Sequence, residues 1–280
     1  MTPITRQLAR ALLPPRDRLG HKGTFGRVYV LGGCTGYTGA PVYAGESAVR
    51  TGSGLVFVGV PGEIYPIAAA RCEAAMVHPL PRDYAALLDR IQACDAALIG
   101  PGLGRSREIE TLVPALLRDL TLPVILDADG INAVSTHMHV LDERRGVTVV
   151  TPHEGEFARL ERNFHPGQSG REQAASAFAR RYGCVTVLKG PGTIVAAPDG
   201  RTFRNATGGS GLAKGGSGDI LAGMVLSLIG QGAEPAEAAA CAVWLHGRAG
   251  DLAEEALTAY AMTPLDLLGR LPAAFKELEE

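Results

Sequence analysis

The chain has 280 residues, 46% of them hydrophobic and 20% charged, with a formal net charge of −2; this excludes a disordered chain and a basic field able to hold nucleic acid or an anionic membrane. The five cysteines are odd in number and include no C-x-x-C pair, so neither a disulfide framework nor a zinc site is indicated. No apolar run reaches the ~18 residues that span a bilayer, and the N-terminus lacks a secretory pattern, which points to a cytoplasmic protein.

Strands are expected at residues 28–31, 55–60, 96–99, 124–126, 147–150, 185–188 and 193–197. Several are apolar at consecutive positions, the pattern of strands covered on both faces in a parallel sheet. Helical spacing falls between and after them, at 41–50, 84–92, 109–118, 153–162, 171–181, 220–229, 235–252 and 264–271. This alternation predicts a layered α/β/α protein with a mostly parallel central sheet. No composition shift or repeat divides the chain, so one domain over 1–280 is expected, with short surface connections around 163–170 and 197–200.

Glycine clusters follow the expected strands. The first, after 28–31, reads Gly-Gly-Cys-Thr-Gly-Tyr-Thr-Gly-Ala over residues 32–40, and the second reads Gly-Pro-Gly-Leu-Gly over 100–104. A third, Lys189-Gly190-Pro191-Gly192-Thr193, follows 185–188. Ligands of open parallel sheets collect at the carboxyl ends of strands, so these loops are expected to line one crevice. Neither G-x-G-x-x-G nor a Walker A pattern occurs, since Arg105 stands where the last glycine should be and Gly215 follows Lys214. A Rossmann-held redox cofactor and a P-loop NTPase are therefore disfavoured.

Between the second and third clusters lie two polar motifs. Asp127-Ala-Asp129-Gly-Ile-Asn132 ends a strand and offers either a helix start capped by Asp129 or carboxylates that reach a metal through water, with Asn132 placed to touch ligand. Thr151-Pro-His153-Glu-Gly-Glu156 puts a histidine at a strand's carboxyl end, either for ligand contact or with Glu156 as a capping-box partner. No H-E-x-x-H is present, which excludes a zinc peptidase, and no direct metal ligand is assigned. Lys189 reads as a cation for donor phosphates or as a turn lysine.

The richest segment is 205–219, Asn-Ala-Thr-Gly-Gly-Ser-Gly-Leu-Ala-Lys-Gly-Gly-Ser-Gly-Asp, running directly into an apolar helix. Amides of Gly216, Ser217 and Gly218, together with a helix start, would make an anion pocket facing a transferred phosphoryl group. Asp219 reads either as a helix cap or as the carboxylate that orients an acceptor hydroxyl and takes its proton; four glycines in the six residues from Lys214 exceed what a cap needs. Lys214 is more ambiguous than Lys189, since a flexible loop can carry it into solvent, and His246 reads as packing.

Taken in order, these motifs resemble the dehydratase family that repairs hydrated NADH and NADPH, within the ribokinase-like superfamily. The matching pieces are the entry at 22–33, Tyr37-Thr-Gly-Ala40, Ile99-Gly-Pro-Gly-Leu-Gly104, the Asp127 and His153 motifs, Val187-Leu-Lys-Gly190 and Gly215-Gly-Ser-Gly-Asp-Ile-Leu221. The resemblance implies a ribokinase-like fold and a lyase. An adenine nucleotide, ADP or ATP, would phosphorylate the ring hydroxyl of the S-epimer, and phosphate would leave to restore the reduced cofactor. It places Ala40, Gly102 or Gly104, His153 and Asp219 at the hydrated dinucleotide, and Lys189, Gly190, Pro191, Gly192, Thr193 and Gly218 at the nucleotide. It implies Mg2+ with the phosphates and a homo-oligomer, with a tetramer among the options. Many relatives carry an epimerase domain ahead of this one; none is expected here. Loop 210–214 also departs from the family's asparagine-proline, threonine-containing version. The competing readings are a vitamin-precursor kinase acting on a thiazole or pyrimidine alcohol, and a nucleotide-binding sensor without turnover.

Overall fold

The computed structural model describes residues 1–162 and 170–279. In chain order it runs β1 (Thr2–Pro3), α1 (Arg6–Leu12), β2 (Arg27–Leu31), α2 (Gly39–Arg50), β3 (Leu55–Val60), α3 (Tyr65–Arg71), β4 (Met76–Pro79) and α4 (Tyr84–Gln92). There follow β5 (Ala96–Ile99), α5 (Arg107–Asp119), β6 (Val124–Leu126), α6 (Asp129–Ser135), α7 (His139–Glu143), β7 (Thr148–Val150), α8 (Glu154–Glu161) and α9 (Arg171–Tyr182). The last third contains β8 (Val185–Leu188), β9 (Ile194–Ala196), β10 (Thr202–Arg204), α10 (Ser217–Gly230), α11 (Pro235–Ala261) and α12 (Pro264–Glu279).

Ten strands form one sheet in the order β1-β10-β9-β8-β7-β6-β5-β2-β3-β4. Pairings from β4 through to β8 are parallel, and β9 is antiparallel to both β8 and β10. The three-layer, mostly parallel α/β/α class expected from the sequence is the observed one. Its physical basis is visible in the strands: Val28 and Val30 join one buried cluster while Tyr29 and Leu31 join the other, and Ala96 and Leu98 split from Ala97 and Ile99 in the same way. Alternate side chains point to opposite faces, so a strand apolar at every position needs helices on both. The first cluster lies under α1, α2, α10, α11 and α12, the second under α4 to α9.

The strand order reverses between β2 and β5: the chain goes from β2 outward to β4, then returns to β5 on the other side of β2. The crevice beyond the carboxyl ends of such a pair is where open α/β sheets hold ligands. The loops leaving these two strands are the first two glycine clusters. The third cluster joins two strands, as the expected strands at 185–188 and 193–197 imply, and forms the bend of the antiparallel β8–β9 hairpin. It still emerges at the same edge, as does the 205–219 segment after β10, which runs parallel to β8.

Short elements account for most other differences. β1, β4, β10, α1, α3, α6 and α7 are each seven residues or fewer, too brief for periodicity to register. Of the surface connection expected at 163–170, residues 163–169 lie outside the described ones.

Candidate active site

The N-terminus of α10 is built by Gly216, whose φ of 103° is open to glycine and strained for other residues. A Cβ there would also meet Tyr43 and Pro264 at 3.0 and 2.9 Å. No side chain caps this helix, so Asp219 does not serve as the cap that the sequence left open. Asp219 sits in the first turn, half-buried. The amide of Ser217 is spent on the Lys214 carbonyl (3.2 Å), whereas those of Gly216, Gly218 and Asp219 make no hydrogen bond among the described residues. The amides without a partner at this turn are therefore those of Gly216, Gly218 and Asp219, while the Ser217 hydroxyl is buried against His246 Nε2 at 3.2 Å.

Behind this turn lies a charge cluster. Lys189 Nζ donates to Asp127 Oδ1 at 2.8 Å and stands 4.0 Å from Glu156 Oε2. A Cβ on Gly218 would be 3.3 Å from that same Nζ, which places the α10 turn directly over it. Asp127 also accepts from Thr151 Oγ1 at 2.7 Å, and both are buried. Burial pulls the Lys189 ammonium down, but Asp127, Glu156 and Asp219 outweigh it and hold its pKa above the ordinary lysine value. For Asp219 burial is the largest effect, Asp127 adds to it, and Lys189 opposes both; the carboxyl ends at about 7. A carboxylate so tuned can accept a proton near neutrality.

His153 is the N-cap of α8. Its Nδ1 accepts from Gly155 N at 3.0 Å, and Glu156 Oε2 accepts from His153 N at 2.8 Å, so the capping-box option for Glu156 is realised. The imidazole is nonetheless 56% exposed, which leaves its edge open to a ligand. Between Asp127 and Asp129 the backbone takes φ 48°, ψ −115° at Ala128, an uncommon conformation for a residue with a Cβ. That bend separates the two carboxylates: Asp127 turns to Lys189, and Asp129 accepts from Gly104 N at 2.8 Å.

A cleft of about 830 Å3 brings together the His153 motif, the 189–193 bend and the Ser217–Gly218 turn, while Ala40, Gly102, Gly216 and Asp219 are not among its lining residues. His153, Lys189, Gly190, Pro191, Gly192, Thr193, Ser217 and Gly218 line it, along with His246 from α11. Gly102 packs on Ala40 and Tyr37 at the β2/β5 reversal, where its Cβ would be 3.0 and 2.9 Å from theirs. Gly104 and Asn132 line a separate cavity of about 120 Å3. There Asn132 donates to Asp129 (3.1 Å) and accepts from Arg159 (2.9 Å), so its amide is engaged by the protein.

Two side chains take roles that the sequence did not assign. Lys214 does not enter solvent: its ammonium donates to the carbonyls of Ala259 (3.2 Å), Tyr260 (2.8 Å) and Met262. It thereby satisfies the end of α11, where cations favour unpaired carbonyls. Arg171, unremarked in the sequence, donates to Glu154 (2.5 Å) and to the carbonyls of Leu188, Lys189, Pro191 and Gly192, clasping the hairpin bend. Nothing in the sequence links it to that bend, because a bond across about one helix length is set by tertiary packing.

A family model described as NAD(P)H-hydrate dehydratase matches residues 28–273. The ADP-dependent (S)-NAD(P)H-hydrate dehydratase of Bacillus subtilis is 34% identical over 276 residues, covering 98% of each chain. The bifunctional NAD(P)H-hydrate repair enzyme of Moorella thermoacetica is 40% identical over 99% of this chain and 54% of its own length. The chain thus spans about half of the repair enzymes it matches. A crystal structure of the ADP/ATP-dependent dehydratase from Bacillus subtilis, co-crystallised with ATP and Mg2+, superposes with a TM-score of 0.83 at 30% identity, covering 99% of this chain and 98% of that one.

Proposed function

This chain belongs to the NAD(P)H-hydrate dehydratase family, and from that premise we propose that it repairs S-epimeric hydrates of NADH and NADPH at the expense of an adenine nucleotide. The observation that carries this reading is Asp219, a carboxyl held near neutrality beside the unpaired amides of Gly216, Gly218 and its own N–H.

In the proposed reaction Asp219 takes the proton of the ring hydroxyl while that oxygen attacks the terminal phosphoryl group. The amides at the α10 turn, reinforced by the helix dipole, hold the equatorial oxygens as charge develops. The nucleotide departs one phosphate shorter. The carbon–oxygen bond then breaks as the ring nitrogen supplies its electron pair, phosphate carries away the oxygen, and a proton leaves the adjacent ring carbon to restore the double bond. Phosphorylation is what makes the oxygen leave, since hydroxide is a poor leaving group.

The cleft residues Lys189 to Thr193 would take the nucleotide, and Ala40, Gly102, Gly104 and His153 the dinucleotide, with Asn132 at its far margin. Magnesium fits as a companion of the phosphates rather than as a resident ion. Among the described residues no group of three His, Cys, Asp or Glu could enclose a metal, and Asp127 Oδ1 is already shared by Lys189 and Thr151. Bound there with its waters, it would neutralise phosphate charge. The family relationship also supports assembly as a homo-oligomer, a tetramer being the form for light scattering to seek, and work in the cytoplasm.

The deciding experiment mixes the protein with hydrated NADH, Mg2+ and either ADP or ATP. Recovery of the near-ultraviolet absorbance of reduced nicotinamide, matched by free phosphate, is expected. A stable phosphorylated product would support a kinase instead, and absence of turnover with either donor would leave a binding protein.

A further inference from the structure

Both ends of the 205–219 segment are fastened to one turn of α11. Asn205 Nδ2 donates to the Val243 carbonyl at 3.3 Å, and Thr207 Oγ1 lies 3.0 Å from the Trp244 carbonyl. Gly247 lies so close to Thr207 that a Cβ would collide with it. At the other end, His246 Nε2 is 2.9 Å from the Ser217 carbonyl and 3.2 Å from its hydroxyl. A carbonyl can only accept, so Nε2 carries the proton, and a neutral ring then leaves Nδ1 as an acceptor.

Resting on the proposed dehydratase reading, we infer that His246 is a positioning residue: a neutral imidazole whose Nε2–H fixes the first turn of α10, and through it Asp219 and the unpaired amides. Three observations carry this. His246 is only 8% exposed and has no carboxylate partner among its hydrogen bonds. Burial, and then the nearby Lys189 charge, hold its pKa down at about 4 against the raising effect of the Ser217 bond, so the ring stays uncharged around neutrality. The α10 turn lacks any side-chain cap, so its placement relies on Gly216, on this bond and on the Lys214 bridge to the end of α11. A protonated His246 would instead add a second buried cation beside Lys189.

Three substitutions separate the roles. Glutamine can present an N–H near the position of Nε2, whereas asparagine is too short and alanine has no donor. His246→Ala and His246→Asn are expected to lower kcat about 10- to 100-fold in the ADP-driven reaction, with calorimetric affinity for ADP and Mg2+ changed less than about threefold, because amides aligned to the transition state affect chemistry more than ground-state binding. His246→Gln should restore kcat to within about threefold, with the acid limb of its pH profile unmoved. If His246→Gln is as impaired as His246→Ala, the ring itself is needed and the proposal fails; full activity in all three also overturns it. Nitrogen-15 histidine spectra of the wild-type protein provide a test independent of turnover and of variant folding. His246 should stay protonated on Nε2 and not titrate between pH 5 and 8, and titration in that window would refute the assignment. If the wild-type protein shows no dehydration at all, the activity reading fails while the spectra still decide the state of this ring.

Discussion

Asp219 is surrounded by more negative than positive charge: Asp127, Glu156 and Asp129 raise its pKa and Lys189 alone among its neighbours lowers it. A proton acceptor of this kind must be ionised to act, so kcat/KM should rise with pH through about 7 and level off above. Asp219→Asn should cut turnover by about 10²- to 10⁴-fold, the usual worth of a positioned base, while nucleotide binding measured by calorimetry persists. The same carboxyl has a consequence for stability. Its folded pKa lies above its unfolded one, so its favourable contribution is complete below the unfolded value near 3.8 and is lost as pH rises through about 7. Asp219→Asn should therefore be more stable than wild type at pH 8, by roughly 1–4 kcal/mol, with the difference shrinking toward pH 4 in thermal melts. Lys189→Gln should act in the opposite direction on stability and should shift the pH profile. It leaves Asp127 buried without its partner, at a cost of about 3–5 kcal/mol, and moves the acid limb of the pH profile above 7 because the one opposing charge is gone.

At the level of elements, the α10 turn is held from three sides: by Gly216, by His246 on α11, and by the Lys214 bridge to the end of α11. Lys214→Met should release those carbonyls, cost about 1–2 kcal/mol in denaturant unfolding, and speed amide exchange near residues 258–262, where Thr258 already departs from helical geometry. Many elements were legible in the sequence because burial on two faces leaves an unbroken apolar run, as in 96–99, and because amphipathic spacing marks α4 and α5. The direction of β9 was not legible, since a three-residue strand carries no sign of whether its partner runs with it or against it. Motifs within a loop could be read as chemistry, as with 215–219. Partners supplied by another element could not: Arg171 and His246 acquire their roles only when α9 and α11 are packed beside the loops they hold. Asp127 could be seen as a carboxylate at a strand end, but its pairing with a lysine 62 positions later depends on β6, β7 and β8 lying side by side.

Over the whole molecule, the loops come together because of topology. Parallel strands bring their carboxyl ends to one edge, and the reversal between β2 and β5 opens a gap there. The sequence predicted the edge from alternation alone; the gap requires knowing the strand order, which no local pattern encodes. A ligand that bridges loops from β2, β5, β7, β8 and β10 should stabilise the fold as a unit. At about 100 times its dissociation constant, ADP with Mg2+ should add ~2.7 kcal/mol. By scanning calorimetry the melting temperature should rise by several degrees, in Asp219→Asn as in the wild type, and an unchanged melt would mean that the cleft does not take the nucleotide.

The clasp made by Arg171 gives the β8–β9 bend a polarity of its own. The guanidinium reaches the oxygens of Leu188, Lys189, Pro191 and Gly192, and it borders the neighbouring cavity rather than the large cleft. With oxygen atoms tied down from the rear, what the bend has left to offer is nitrogen. A guest rich in negative oxygen would find the Gly190 and Gly192 amides there, since Pro191 has no N–H and that of Lys189 is spent on Pro152, whereas carbonyls that a cation would seek already accept from the guanidinium. On the proposed reading, a preference for anionic cargo would rest on the orientation of peptide groups and would survive changes of side chain along the bend, provided the arginine behind it stays.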